Sequence, residues 1–216
     1  MEDKYLSIIT NFGCHYTCQY CVVKENDLQI PKTTVNGLRD LSSLASEFGC
    51  NWISVSGVGD PLFRVREHGD WYEEYMRITQ EDGFLREMHT SIVLPESEDL
   101  FWHGKSWNRI VYHLNTFTQL YSIPRRGEEI VRVVFVVTAD FTPALIDKIA
   151  ATVEENPNID ELSFRQMVDS NYQTTDYCKD YLRACHKKKW WYIEHNDYNP
   201  HYAENQIVTK FKYFKR

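Results

Sequence analysis

No apolar run in this 216-residue chain approaches the ~20 residues a membrane span needs. Arg132 interrupts even the best stretch, Val131–Val137, which excludes a helical span. The N-terminus, Met1-Glu2-Asp3-Lys4-Tyr5, lacks the basic and apolar segments of a signal peptide, so a cytoplasmic location is expected. In a reducing compartment, six cysteines point to metal binding or thiol chemistry before disulfides. No segment is of low complexity and no internal repeat is found, which excludes solenoid and fibrous architectures. Also missing are a Gly-rich phosphate loop and a defensible Ser–His–Asp order. A broad excess of positive charge is absent too. The net charge is −7, and the first 182 residues carry −12 against +5 from Arg183 onward. Such an acidic body disfavours a nucleic-acid partner.

Charged residues at 25% and hydrophobic residues at 43% are ordinary for a globular chain. This length suits one domain and buries a core without disulfide staples. Strand-like and helix-like segments alternate. Strands are predicted at Tyr5–Thr10, Trp52–Ser56, Met88–Leu94, Arg109–Leu114, Val131–Thr138 and Glu161–Met167. Between them, helices are predicted over Thr33–Phe48, Trp71–Gln80 and Ala144–Glu155, the last opened by Pro143, with a further helix at Asp176–Lys188. Gly49 stops the first of these. Trp190–Glu194 and Gln206–Phe214 read as extended and suited to pair as a hairpin. About six β-then-α units favour a parallel sheet, either an open α/β sheet or an incomplete barrel, because a full eight-unit barrel takes ~250 residues. In both cases reactive groups belong in loops at the carboxyl ends of the strands. Two unusual loops, Gly13–Cys21 and Gly57–Pro61, fall at such ends.

The first loop reads Asn11-Phe12-Gly13-Cys14-His15-Tyr16-Thr17-Cys18-Gln19-Tyr20-Cys21. Three cysteines this close can turn soft thiolates toward one centre, which suits zinc or an iron–sulfur cluster. Three thiolates on a cubane would leave one iron without a protein ligand, and an open position is what catalysis requires. Two other readings stay open on the residues alone: buried free cysteines, or a structural zinc held by Cys14, Cys18 and Cys21 with His15 or a distant ligand. Zinc sites usually present a second Cys or His pair, and none is evident.

The spacing Cys-x3-Cys-x-aromatic-Cys, with Tyr20 as the aromatic, resembles the signature of radical S-adenosylmethionine enzymes at the end of their first strand. The resemblance implies a partial (β/α)6 barrel over residues 1–169. Residues 170–216 would add a helix and an extended segment capping the same domain. It further implies that Cys14, Cys18 and Cys21 hold a 4Fe–4S cluster whose open iron is chelated by S-adenosyl-L-methionine, with Tyr20 packed beside the cluster or the adenine. One-electron reduction would release a 5′-deoxyadenosyl radical that abstracts hydrogen from substrate, with an electron donor such as flavodoxin or ferredoxin.

The second loop, Ser56-Gly57-Val58-Gly59-Asp60-Pro61-Leu62, resembles the family's Gly-Gly-Glu-Pro-like motif, which receives the cofactor's ammonium. It departs twice: Gly-Val-Gly stands for Gly-Gly, and Asp60 for Glu. Read alone, it is a tight turn leaving a strand. By the same resemblance His113 and Asn115, followed by Arg125 and Arg126, are candidates for the ribose or methionyl carboxylate, and Arg165 borders the adenine. Each also reads as an ordinary solvated or core-satisfied residue. Cys50, Cys178 and Cys185 invite a second cluster but lack a close Cys-x2-Cys pair. Lys187–Trp191 could stack a base, although burial of the tryptophans is the simpler reading. Lys210–Arg216 resembles a charged edge strand. The expected substrate is a small molecule or nucleotide. The alternatives are activation of a partner protein by forming a radical on it and, from another class, a non-catalytic zinc module.

Overall fold

The computed structural model describes residues 2–16, 18, 20–93, 107–124, 127, 129–184, 190–195 and 199–214. Its first strand, β1 (Tyr5–Gly13), is buried without a break from Leu6 to Thr10, as expected of a parallel strand covered on both faces. The chain then runs through α1 (Val22–Asn26), a 3-10 turn at Val35–Leu38 and α2 (Leu41–Glu47) into β2 (Trp52–Gly59). Next come α3 (Gly69–Glu81), β3 (Leu85–Thr90), β4 (Arg109–Leu114) and β5 (Ile130–Val137). They are followed by α4 (Pro143–Glu155), β6 (Glu161–Gln166), α5 (Lys179–Ala184), β7 (Trp190–Ile193), β8 (His201–Ala203) and β9 (Gln206–Val208). All nine strands share one sheet in the order β7-β6-β5-β4-β3-β2-β1-β8-β9. Neighbours from β1 to β7 are parallel, as is β8 against β1; among the named strands only β8 and β9 run antiparallel. The chain is therefore mixed α/β with a mostly parallel sheet. Among the described residues no helix is long and apolar enough to cross a membrane.

Helix α3 shows how the sequence positions the β2 loop. Trp71, Tyr72, Tyr75 and Ile78 are buried at helical spacing. The Tyr75 hydroxyl donates to the Ile53 carbonyl at 3.0 Å, and Tyr72 donates to the Pro61 carbonyl at 2.7 Å. Burying each phenol is thereby matched by a hydrogen bond, and the loop after β2 is pinned to the helix. At α4, the Thr142 hydroxyl accepts from the Leu145 amide at 3.2 Å and Pro143 opens the first turn, as predicted.

Several expectations are corrected. Thr33–Phe48 is not one helix: it breaks between the 3-10 turn and α2. The Asn205 amide takes the place of a helical hydrogen bond there. Its Nδ2 donates to the Asn36 carbonyl at 3.0 Å and its Oδ1 accepts from the Asp40 amide at 3.0 Å, a pair that an α-helix would have joined directly. The strand predicted at Met88–Leu94 instead spans Leu85–Thr90, because Thr90 and Ser91 turn their donors toward Asp60. Asp176–Lys188 contracts to α5, since Cys178 has a left-handed φ of 51° that a helix cannot include, and residues 185–188 lie outside the described residues.

The predicted hairpin of Trp190–Glu194 with Gln206–Phe214 does not form. Strand β7 extends the sheet beyond β6, where buried Trp190 meets Phe164 edge-on at 5.4 Å. At the opposite edge β8 and β9 form their own hairpin, turned by Glu204 and Asn205 at φ of 46° and 64°. Nor do the described residues of Lys210–Arg216 form an edge strand, and Lys215 and Arg216 lie outside them. Phe211–Phe214 form a 3-10 turn, and Phe214 is buried beside Ile9, Leu28 and Ile30. Trp191 is 51% exposed, with the Arg132 guanidinium 4.1 Å from its ring, while Lys187–Lys189 lie outside the described residues.

Candidate active site

The carboxyl ends of β1 and β2 are locked together by two glycines. The register of this pair shifts between Thr10 and Gly13, which opposes Gly59. Gly59 has a φ of +132°, and a Cβ there would lie 2.3 Å from the Gly13 carbonyl oxygen. That same oxygen accepts from the Asp60 amide at 2.9 Å. Only a residue without a side chain allows this approach. The cysteine loop leaving β1 is thereby held against the loop leaving β2.

Asp60 is buried at 3% exposure, and its carboxylate organises this corner. One oxygen accepts from the Leu62 amide at 2.9 Å and the Thr90 hydroxyl at 2.8 Å; the other accepts from the Ser91 amide at 2.6 Å. Burial pushes its carboxyl above the ordinary value, with those three hydrogen bonds pulling the other way. The carboxylate thus ties the end of β2 to the end of β3.

Within the cysteine loop the Cys21 amide donates to the Cys18 carbonyl at 3.2 Å, and the Tyr16 amide to Cys14 Sγ at 3.4 Å. Asn115, just past β4, receives two donors on its Oδ1: Cys18 Sγ at 3.5 Å and the Tyr20 hydroxyl. Burial pushes the Cys14 and Cys18 thiols up from their ordinary values, and negative neighbours push them further: Asp60 and Cys21 for Cys14, Cys14 and Cys21 for Cys18. The Tyr20 phenol is raised by burial and then by the Cys18 and Cys21 thiolates.

These loops face a cleft of about 460 Å³. Cys14, Cys18, Tyr20 and Cys21 line it, as do Gly57, Gly59, Asp60 and Pro61 of the β2 loop. His113 from β4 and Arg165 from β6 also line it. Asn115 reaches the site through Cys18 and Tyr20. Arg125, Arg126 and Cys185 lie outside the described residues, and neither Cys50 nor Cys178 lines the cleft. Cys50 is buried in the main core, and the Cys178 thiol donates to the Phe141 carbonyl at 3.2 Å.

Sequence reasoning missed His89, which lines the same cleft. Its Nδ1 lies 2.8 Å from His113 Nε2 and its Nε2 lies 2.7 Å from Glu87 Oε1. The Glu87-x-His89 spacing puts both side chains on one face of a strand, the only sequence signal available. Glu87 also accepts from Ser54 Oγ at 2.8 Å and from Arg109 at 2.9 Å. Burial alone would raise its carboxyl, but His89 and Arg109 outweigh that and hold it well below the usual carboxylate range.

The donor set fits an iron–sulfur cluster. Three thiols line one cleft, close enough to feel each other's charge, and a cationic centre would relieve their repulsion. Among the described residues no group of three His, Cys, Asp or Glu is placed to hold a metal ion, so the fit rests on donor chemistry and the shared cleft.

No protein-family model and no curated protein matches this chain. Solved structures do. Streptococcus suis SuiB bound to the precursor peptide SuiA matches with a TM-score of 0.57 and 14% identity over 88% of this chain. SuiB bound to S-adenosylmethionine matches with a TM-score of 0.55 and 13% identity over 91% of this chain. The chain spans 48% of the SuiB chain, about half its length. At this identity the likeness establishes a shared fold.

Proposed function

We propose that this chain is a radical S-adenosylmethionine enzyme built on a partial (β/α)6 barrel of β1–β6, with residues 170–216 completing both sheet edges. The observation that carries the reading is the shared cleft: the three-cysteine loop and the Gly57–Pro61 loop face one space of cofactor size. The likeness to SuiB bound to S-adenosylmethionine supports the same reading.

Cys14, Cys18 and Cys21 would hold a 4Fe–4S cluster. With S-adenosylmethionine bound, the cluster would supply one-electron cleavage and hydrogen abstraction by a 5′-deoxyadenosyl radical, fed by a reductant of the flavodoxin or ferredoxin kind in the cytoplasm. The chain's own residues orient and enclose. Gly57 and Gly59 let backbone approach the methionyl part, and Asp60 fixes their loop. Pro61 ends that loop against Tyr72. Asn115 restrains Cys18 and Tyr20, while His113 and Arg165 present polar groups to the ribose or adenine side.

A small molecule or nucleotide is the proposed substrate. A second reading, chemistry on a partner polypeptide, is favoured by the likeness to SuiB bound to a precursor peptide. Anaerobic iron, sulfide and zinc analysis of the reconstituted chain tests the proposal, with electron paramagnetic resonance before and after S-adenosylmethionine. About four iron and four sulfide per chain, with a spectrum that changes on addition, is expected. Zinc in place of iron would refute it.

A further inference from the structure

Beyond the polar group that His113 presents beside the cofactor, the hydrogen-bonded chain Glu87–His89–His113 carries acid–base chemistry that cofactor binding does not use. We propose that it is a proton-transfer site opening on the cleft, where His113 takes a proton from a weakly acidic, anionic substrate group and His89, backed by Glu87, holds the resulting charge. The inference rests on the cleft admitting substrate beside the cofactor, but not on the cluster.

Glu87 fixes the hydrogens of the chain. An ionised carboxylate only accepts hydrogen bonds, so the His89 Nε2 that it meets at 2.7 Å carries a hydrogen. In neutral His89 the other nitrogen, Nδ1, is then an acceptor. The Nε2 of His113, 2.8 Å away, must therefore carry a hydrogen and donate it. That commits His113 Nε2 and leaves Nδ1, which has no hydrogen-bond partner among the described residues, as the basic position of its ring.

Proton transfer through this arrangement balances without any other reactant. A substrate X–H gives its proton to His113 Nδ1. The hydrogen on His113 Nε2 passes to His89 Nδ1. The products are the substrate anion, a neutral His113 of the opposite tautomer, and a His89 imidazolium against the Glu87 carboxylate. Returning the hydrogens reverses the path and delivers a proton to the product.

The surroundings suit a site that rests neutral and charges on demand. Burial holds the His113 imidazole below its ordinary range, with the Arg165 guanidinium, and His89 once it is charged, acting the same way. Ser54 on β2 and Arg109 on β4 fix Glu87 from two sides. Tyr5 on β1 accepts from Arg109, and Glu161 on β6 pairs with Arg109 and with Arg132 of β5. Arg165 of β6 lines the cleft with His113, which favours a substrate that carries negative charge.

The test is nuclear magnetic resonance of the full chain with 15N-labelled histidine rings, titrated with acid and base. Both rings are expected to report one shared proton uptake with a common midpoint. Glu87→Gln should weaken that uptake about tenfold, a shift of about one pH unit, by removing the carboxylate that stabilises the His89 imidazolium. His89→Gln, which keeps a neutral polar side chain should Glu87→Gln fold poorly, should leave His113 taking up its proton at lower pH. Inorganic phosphate, a weakly acidic anion, should move both rings together, with the response lost in Arg165→Gln. Separate midpoints for the two rings, or an uptake unmoved by Glu87→Gln and His89→Gln, would overturn the relay. Phosphate moving neither ring would overturn the anionic substrate class. These measurements need neither cluster nor S-adenosylmethionine, so they fail or succeed independently of the iron analysis.

Discussion

Replacing Arg109 with methionine should test the ion network beneath the cleft. Arg109 and Glu87 are each only 4% exposed, paired at 2.9 Å. Arg109 also meets Glu161 at 3.2 Å and donates to the Tyr5 hydroxyl at 2.8 Å, with its guanidinium 4.6 Å from the Trp52 ring. Methionine keeps most of the packing volume but leaves Glu87 with Ser54 and His89, and Glu161 with Arg132. Removing one partner of a buried pair costs about 3–5 kcal/mol, because the remaining charge stays desolvated. Against a typical stability of about 5–15 kcal/mol, that is a large fraction of the whole. Urea unfolding at neutral pH, with a check that the m-value is unchanged, measures it. The pH dependence carries the sign. Glu87 is held below its ordinary value in the folded wild type, so its contribution is complete above the unfolded carboxylate value of about 4.3 and is lost as pH falls below it. The gap between wild type and Arg109→Met should therefore be widest near neutrality and narrow in acid. A loss under about 1 kcal/mol, or one as large in acid as at neutrality, would show that Arg109 does not offset a desolvated Glu87 charge.

Two further substitutions probe how the site is assembled. Gly59→Ala places a Cβ against the Gly13 carbonyl at a φ of +132° and should cost about 1–3 kcal/mol, with a lower melting temperature and less iron taken up on reconstitution. An unchanged melt would show that the β1 and β2 ends can part freely. Asn205→Ala removes the amide that replaces the helical bond between Asn36 and Asp40, and should cost about 1–2 kcal/mol with faster hydrogen exchange at the Asp40 amide. Exchange at the wild-type rate would mean that the break before α2 has another cause.

What the sequence made legible follows from how local each signal was. The strand–helix alternation is local, and β1 to β6 fall near their predicted positions in one mostly parallel sheet. The cysteine and Gly57–Pro61 loops are contiguous motifs at strand ends, so a parallel arrangement alone suffices to bring both to one side. The break in Thr33–Phe48 was illegible because its cause, Asn205, is supplied by a hairpin 165 residues away. The hairpin partners went wrong for a related reason. Trp190 and Gln206 begin equally extended segments, and only packing against β6 or β8 assigns each to its edge. His89 was missed because its role depends on strand register. Pairing of His89 with Val111 sets its ring beside that of His113, two residues further along β4.

Parallel strands also turn position along a strand into depth. Tyr5, Arg109 and Glu161 each begin their strand, and Arg132 comes third in β5, so the ion network lies at the amino ends. The cysteine loop and Gly57–Pro61 leave from the carboxyl ends. Glu87 joins these levels: Oε2 faces Arg109, while Oε1 faces Ser54 and His89. Arg109 therefore stabilises the fold and at the same time draws off part of the charge that Glu87 offers to His89. Stability and proton uptake then respond with opposite signs. Arg109→Met should destabilise the fold while strengthening proton uptake by the histidine pair, because Glu87 is left to His89. Glu87→Gln should weaken that uptake. A purely structural network would move stability in both variants and leave the histidine midpoint where it was.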